Sequence, residues 1–138
     1  MIHHLVATIK NNPTIHYGKP VNSLYLQDCQ EYLAEQKRGG LPSEFTFFLR
    51  YINGVFSDTA VLYGVTPENI AGMKDLVLQT ELVFPHQKDM LLLGESTLEW
   101  FVYNQGKKIY QVYDRQEMQP VESFDSLEGM LDYCLQVM

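Results

Sequence analysis

Any chemistry in this sequence would have to come from four histidines, two cysteines, one suggestively placed serine or a pair of glutamates. His3, His4, His16 and His86 stand outside any HExxH pattern and away from paired cysteines. The adjacent His3 and His4 would leave a helix on different faces, so they are poorly placed to share one ion. Ser96 comes after Gly94 and Glu95 without the GxSxG context of a strained nucleophile, and Gly94-Glu95-Ser96 reads as a turn. Glu95 and Glu99 could in principle act as acid and base, but surface carboxylates far outnumber catalytic ones. Cys29 and Cys134 lack CxxC spacing and fall on apolar helical stripes, the pattern of buried free thiols. No GxGxxG or Walker A string is present to cradle phosphate. The reading is a chain without catalytic residues, without a cofactor and without a metal.

Binding is the alternative to catalysis. The formal charge of −7, from 17 acids against 10 bases, opposes direct nucleic-acid binding and suits a basic protein partner. Asp58, Glu95, Glu99 and Asp114 fall at or beside expected loops and strand ends, where recognition residues sit on a rigid scaffold. Tyr103 and Tyr113 lie on a predicted hairpin and could anchor an interface, while Trp100 is assigned to the core. No run approaches the roughly 20 apolar residues of a membrane span. The stretch from Met1 to Val6 lacks signal-peptide features, so a cytoplasmic location is expected, as a monomer or weak dimer.

The elements positioning these residues are organised around Leu41–Gly54. Pro42 suits a first helical turn, and Glu44 complements the dipole there. Phe45, Phe48, Leu49 and Ile52 line one face, Phe47 and Tyr51 a second, and Asn53-Gly54 closes the helix. A helix over residues 43–52, aromatic on two sides, is expected to be nearly enclosed. Before it, Ile2, Leu5, Val6 and Ile9 predict a helix ended by Asn11-Asn12-Pro13, and residues 13–21 read as a loop. A second helix runs from an Asn22 or Ser23 cap to about Lys37. Its inward stripe is Tyr25 or Leu26, Cys29, Tyr32 and Leu33, and Gly39-Gly40 stops it.

The period then changes. Ala60–Gly64 reads as a strand, Thr66-Pro67-Glu68 as the start of a helical turn, and Met73, Leu76, Val77, Thr80 and Phe84 as a helix closed by Pro85. Met90–Gly94 is an apolar strand. Trp100–Tyr103 and Ile109–Tyr113 flank Asn104-Gln105-Gly106 as a hairpin over 99–113 with a Gly-bearing turn. Consecutive apolar positions there imply that both sheet faces are at least partly covered, by helices on one side. Met118–Phe124 can add a strand with Pro120 near its edge or start. Asp125-Ser126-Leu127-Glu128 resembles a capping box with Asp as the cap. It opens a last helix with Leu127, Leu131, Cys134 and Leu135 inward, weakened by Gly129. The class is α+β: a mixed or antiparallel sheet packed against helices, in one domain over 1–138.

This order of motifs resembles the SUKH superfamily, which includes a yeast cell-wall synthesis regulator and many bacterial immunity proteins. The resemblance rests on three stretches. They are Leu41-Pro42 with Phe45, Phe48-Leu49 and Asn53-Gly54; Leu91–Ser96 with Trp100–Tyr103; and Tyr110–Arg115 with Val121–Leu127. Residues 41–138 form the family-like portion, and the N-terminal helices of residues 1–40 carry little of the match. The resemblance implies an α+β binding domain that neutralises a cognate polymorphic toxin by stoichiometric protein–protein contact. Alternatives are an adaptor or scaffold of a housekeeping pathway, and a small ligand-binding domain or enzyme using the sheet–helix cleft. A basic toxin domain would be drawn to Asp58, Glu95, Glu99 and Asp114, with Tyr103 or Tyr113 at the buried centre.

Overall fold

Two strands rich in aromatic and β-branched residues set the architecture: β5 (Glu99–Asn104) and β6 (Ile109–Asp114) pair antiparallel, with Trp100 opposite Tyr113 and Phe101 opposite Val112. In the computed structural model, which describes residues 2–65 and 75–138, this hairpin lies in a seven-stranded antiparallel sheet. The other strands are β1 (His16–Tyr17), β2 (Val55–Phe56), β3 (Ala60–Leu62), β4 (Met90–Ser96) and β7 (Pro120–Phe124). Spatial order equals sequence order, a meander from β1 to β7. The helices are α1 (Ile2–Asn11), α2 (Ser23–Glu35), α3 (Ser43–Leu49), α4 (Leu76–Val83) and α5 (Leu127–Val137). The fold is α+β, with the sheet antiparallel rather than mixed. The expected turn at Thr66-Pro67-Glu68, and Met73 of the helix expected after it, lie outside the described residues.

One contiguous core joins Leu5, Val6 and Ile9 of α1, Phe45, Phe48 and Leu49 of α3, and Leu127, Met130, Leu131 and Cys134 of α5 to the sheet residues Leu91, Leu92, Phe101, Val102 and Val112. Ile52 and both cysteines are buried as expected. Helices cover both faces of the hairpin, not one. Tyr133 of α5 meets Phe101 edge-on at 6.3 Å, and Phe84 at the end of α4 meets Tyr113 at 6.5 Å on the opposite face. Thr80, fully buried in α4, accepts a hydrogen bond from the Leu92 N–H at 2.9 Å. It takes the place of a strand partner beside that part of β4, where β3 has already ended.

Several local readings change. α3 stops at Leu49, because its last turn tightens into i→i+3 bonds such as Tyr51 N–H to Phe48 C=O. Pro42 is its extended N-cap, and Phe47 remains exposed, so the second aromatic edge is not enclosed. Residues 13–21 are not all loop, since His16–Tyr17 adds a short strand. α2 is capped by Asn22 and buries Leu26, Cys29 and Leu33; Tyr25 and Tyr32 stay exposed. It is stopped by Lys37 at φ 61°, not by the glycines. The Lys37 and Arg38 N–H groups close back onto the Ala34 and Leu33 carbonyls. Between β5 and β6 it is Lys108, at φ 57°, that takes the left-handed conformation instead of Gly106. Ser126 rather than Asp125 caps α5, its hydroxyl accepting from the Gly129 N–H at 3.2 Å. Leu135 is only half-buried in α5, and Trp100 is likewise half-buried instead of lying in the core.

Two buried polar residues tie loops together. Asn53 is buried, its Oδ1 accepting from the Val65 N–H at 3.0 Å, and Gly54 after it adopts φ 92°. Arg38 is 3% exposed. Its guanidinium donates to the carbonyls of Gln87 and Met90, both at 3.1 Å, and of Phe84 at 2.5 Å. Its Nε has no partner among the described residues. Burial pulls the Arg38 pKa below its ordinary value.

Candidate functional site

An antiparallel meander places alternate turns at the same end of its sheet. Here residues 57–59, 97–98 and 115–119 gather at one end, after β2, β4 and β6. Asp58, Glu95, Glu99 and Asp114 all lie at this end. Gly94 permits the packing beneath it: a Cβ there would stand 2.3 Å from the Val61 carbonyl oxygen. The β4–β5 register shifts between Leu92 and Gly94, a bulge that re-aims the side chains beyond it. Glu95 then pairs with Trp100 and Glu99 with Asp114. Because side chains alternate along β5, the four carboxylates share an end of the sheet but not a face.

Glu95 is engaged from two sides. Its Oε1 accepts from the Tyr63 hydroxyl at 2.6 Å, and its Oε2 from Arg115 Nη1 at 3.0 Å. Arg115 also donates to the Ser96 carbonyl at 2.8 Å, and its guanidinium lies 3.8 Å from the centre of the Trp100 ring. The fully buried Tyr63 hydroxyl has its pKa raised, first by burial and then by its bond to Glu95, so it stays a proton donor. Beside this chain of contacts lies an open cleft of about 400 Å³, lined by Ser57, Asp58, Thr59, Glu95, Ser96 and Arg115 among others. Its hydroxyls hold the turns together. Ser57 accepts from the Thr59 N–H, Thr59 donates to the Val137 carbonyl, and Ser96 accepts from the Glu99 N–H.

The other sequence candidates divide. Glu99 faces α5 and accepts from the Tyr133 hydroxyl at 2.7 Å. Burial, then that bond, pushes the Tyr133 pKa to about 12. Asp114 organises the β6–β7 turn, its Oδ1 accepting from the Gln116 and Glu117 N–H groups at 2.8 and 2.9 Å. Asp58 is exposed and makes no hydrogen bond or ion pair among the described residues. Tyr113 is half-buried across from Trp100, whereas Tyr103 meets Tyr110 at 4.8 Å with the rings tilted by 54°, toward the opposite end of the hairpin. Leu98, at the tip of the β4–β5 turn, is 74% exposed. Leu98, Tyr63 and Arg115 carry much of this site and were not candidates. The Glu95–Arg115 contact joins residues twenty apart, and only the strand register shows it.

Among the described residues, no three His, Cys, Asp or Glu side chains group as metal ligands. Nor, among them, is any helix long and apolar enough to cross a membrane. No family model matches the chain, and no curated protein does.

Proposed function

We propose that this chain is a stoichiometric binding protein that neutralises a basic toxin domain, docking through the turn end of its sheet. One observation carries the reading: exposed Asp58, exposed Leu98 and the half-buried Trp100–Arg115 stack occupy the same end of a rigid antiparallel sheet. Trp and Arg are the residue types that dominate binding energy at interfaces, Leu98 adds apolar area, and an acidic rim steers a basic partner. The net charge of −7 has the matching sign. The sequence's resemblance to SUKH immunity proteins agrees with this role, and an adaptor would use the same physics.

Reversing Glu95 or Asp114 would be a poor test, since the first holds Arg115 and Tyr63 and the second its own turn. The test pairs Asp58→Lys with Leu98→Ser, two exposed positions, against the toxin domain encoded beside this chain's gene. The parent is expected to form a one-to-one complex whose association slows as salt rises. The double variant should bind at least about tenfold more weakly, a loss of about 1.4 kcal/mol, with an unchanged urea midpoint. Equal affinity of parent and variant would remove the turn end from the interface. A neighbourhood without any toxin domain would remove the neutralising role.

A further inference from the structure

α4 has the sequence LVLQTELV, apolar nearly all round, yet the core uses only one side of it. Leu76 and Thr80 are buried, while Leu78 and Leu82, one turn apart, are 61% and 73% exposed. A helix apolar on all sides is normally covered on all sides. α2 reaches it through one side chain: the Tyr32 hydroxyl donates to the Glu81 carboxylate, 3.0 and 3.1 Å from its two oxygens. Tyr25 and Tyr32, seven residues apart on one stripe of α2, are 45% and 37% exposed. The two helices thus present two leucines and two tyrosines outward.

The two helices themselves carry charge of one sign, with Lys37 and Arg38 just beyond the end of α2. α2 carries Asp28, Glu31 and Glu35, all exposed, and α4 carries Glu81; neither helix contains Lys, Arg or His. A second copy of the chain would bring acids against acids, so self-association is disfavoured. We infer that the α2–α4 face is a docking site for a basic amphipathic helix of a partner protein. Its leucines and tyrosines take the apolar stripe, and its carboxylates take flanking Lys or Arg. α2 is about 20 Å long at 1.5 Å per residue, enough to lie along several turns of an opposing helix. The site is built from different elements than the turn end, and neither depends on the other.

The probe is a leucine–lysine peptide of about 18 residues at amphipathic helical spacing, with a scrambled isomer of the same composition as control. It is titrated into ¹⁵N-labelled protein and followed by amide shifts. Shifts should concentrate on α2 and α4, with the amphipathic peptide at least about tenfold tighter than its isomer. Leu78→Ser/Leu82→Ser should abolish that preference, and Leu98→Ser should leave it unchanged. If the serine variant loses its fold, Glu35→Lys/Glu81→Lys serves in its place with the same expected loss. Equal binding of both peptides, shifts confined to the turn end, or no binding would overturn the inference. So would a dimer of the parent that the serine variant dissolves, because the occupant would then be a second copy.

Discussion

Arg38→Met is the most informative single substitution, because it removes a buried cation while keeping most of the aliphatic stem. Three carbonyls, those of Phe84, Gln87 and Met90, lose a charged donor. Each such bond contributes about 1.5–3 kcal/mol. Two terms offset that sum. Gln87 is exposed, so its carbonyl can return to water. Burying a guanidinium also costs several kcal/mol, which the methionine does not incur. Phe84 and Met90 are buried, and their carbonyls are left without this donor. The net expectation is a destabilisation of about 3 kcal/mol, equivalent to a melting temperature lower by roughly 10 °C. Urea unfolding gives the magnitude, and hydrogen exchange locates it, with early protection loss at the end of α4 and the start of β4. Arg38→Lys should recover less than half, since an ammonium lacks the planar fork that reaches three separated carbonyls. A methionine variant within about 0.5 kcal/mol of the parent would refute the idea that this arginine fastens the α4–β4 connection.

Thr80→Val keeps the side-chain shape but leaves the Leu92 N–H without its acceptor, and should cost about 1–3 kcal/mol in urea unfolding. Gly94→Ala drives a Cβ against the Val61 carbonyl and should cost about 1–3 kcal/mol or more, with amide shifts centred on β3 and β4; a neutral outcome would mean the strands separate freely there. Alkali should destabilise the fold. Burial first, then the Asp75 charge, raises the Cys29 pKa from 9.0 to about 12; burial, then the bond to Glu99, raises that of Tyr133 from 10.0 to about 12. Both groups are held protonated in the folded state, so their contribution is intact below pH 9 and is lost as pH climbs through 12. A urea midpoint that stays flat from about pH 9 to about pH 12 would contradict those burials.

Much of the fold is legible in the sequence because its signals are local. The spacing of Ile2, Leu5, Val6 and Ile9 marks α1, and the aromatic runs flanking Asn104-Gln105-Gly106 mark the central hairpin. The two-residue strands β1 and β2 are too short for any periodicity to show. Cap positions shift by a residue where neighbours could do the same work, as with Asp125 and Ser126. Trp100 is misplaced for a different reason. Its ring packs only at the margin of the core, with Arg115 over one face, and that contact depends on strand register. The site obeys the same rule. Sequence picks out carboxylates near turns, but whether each is without a partner among the described residues, like Asp58, or committed, like Glu95 and Asp114, is decided by the folded arrangement around it.

The meander has a consequence for the order in which the chain folds. β4 to β7 are joined by short turns and lead at once into α5, so most contacts within Met90–Val137 can form by closing small loops. The wide closures lie elsewhere, from Tyr17 to Val55 and from Leu62 to Met90. Loop entropy grows slowly with length, about 0.6 kcal/mol per doubling, but it must be met before those contacts return anything. The hairpin and its flanking strands are therefore expected to form the nucleus. On that expectation α1, α2 and β1 dock late, and stopped-flow kinetics should show mutations in them acting mainly on the unfolding rate.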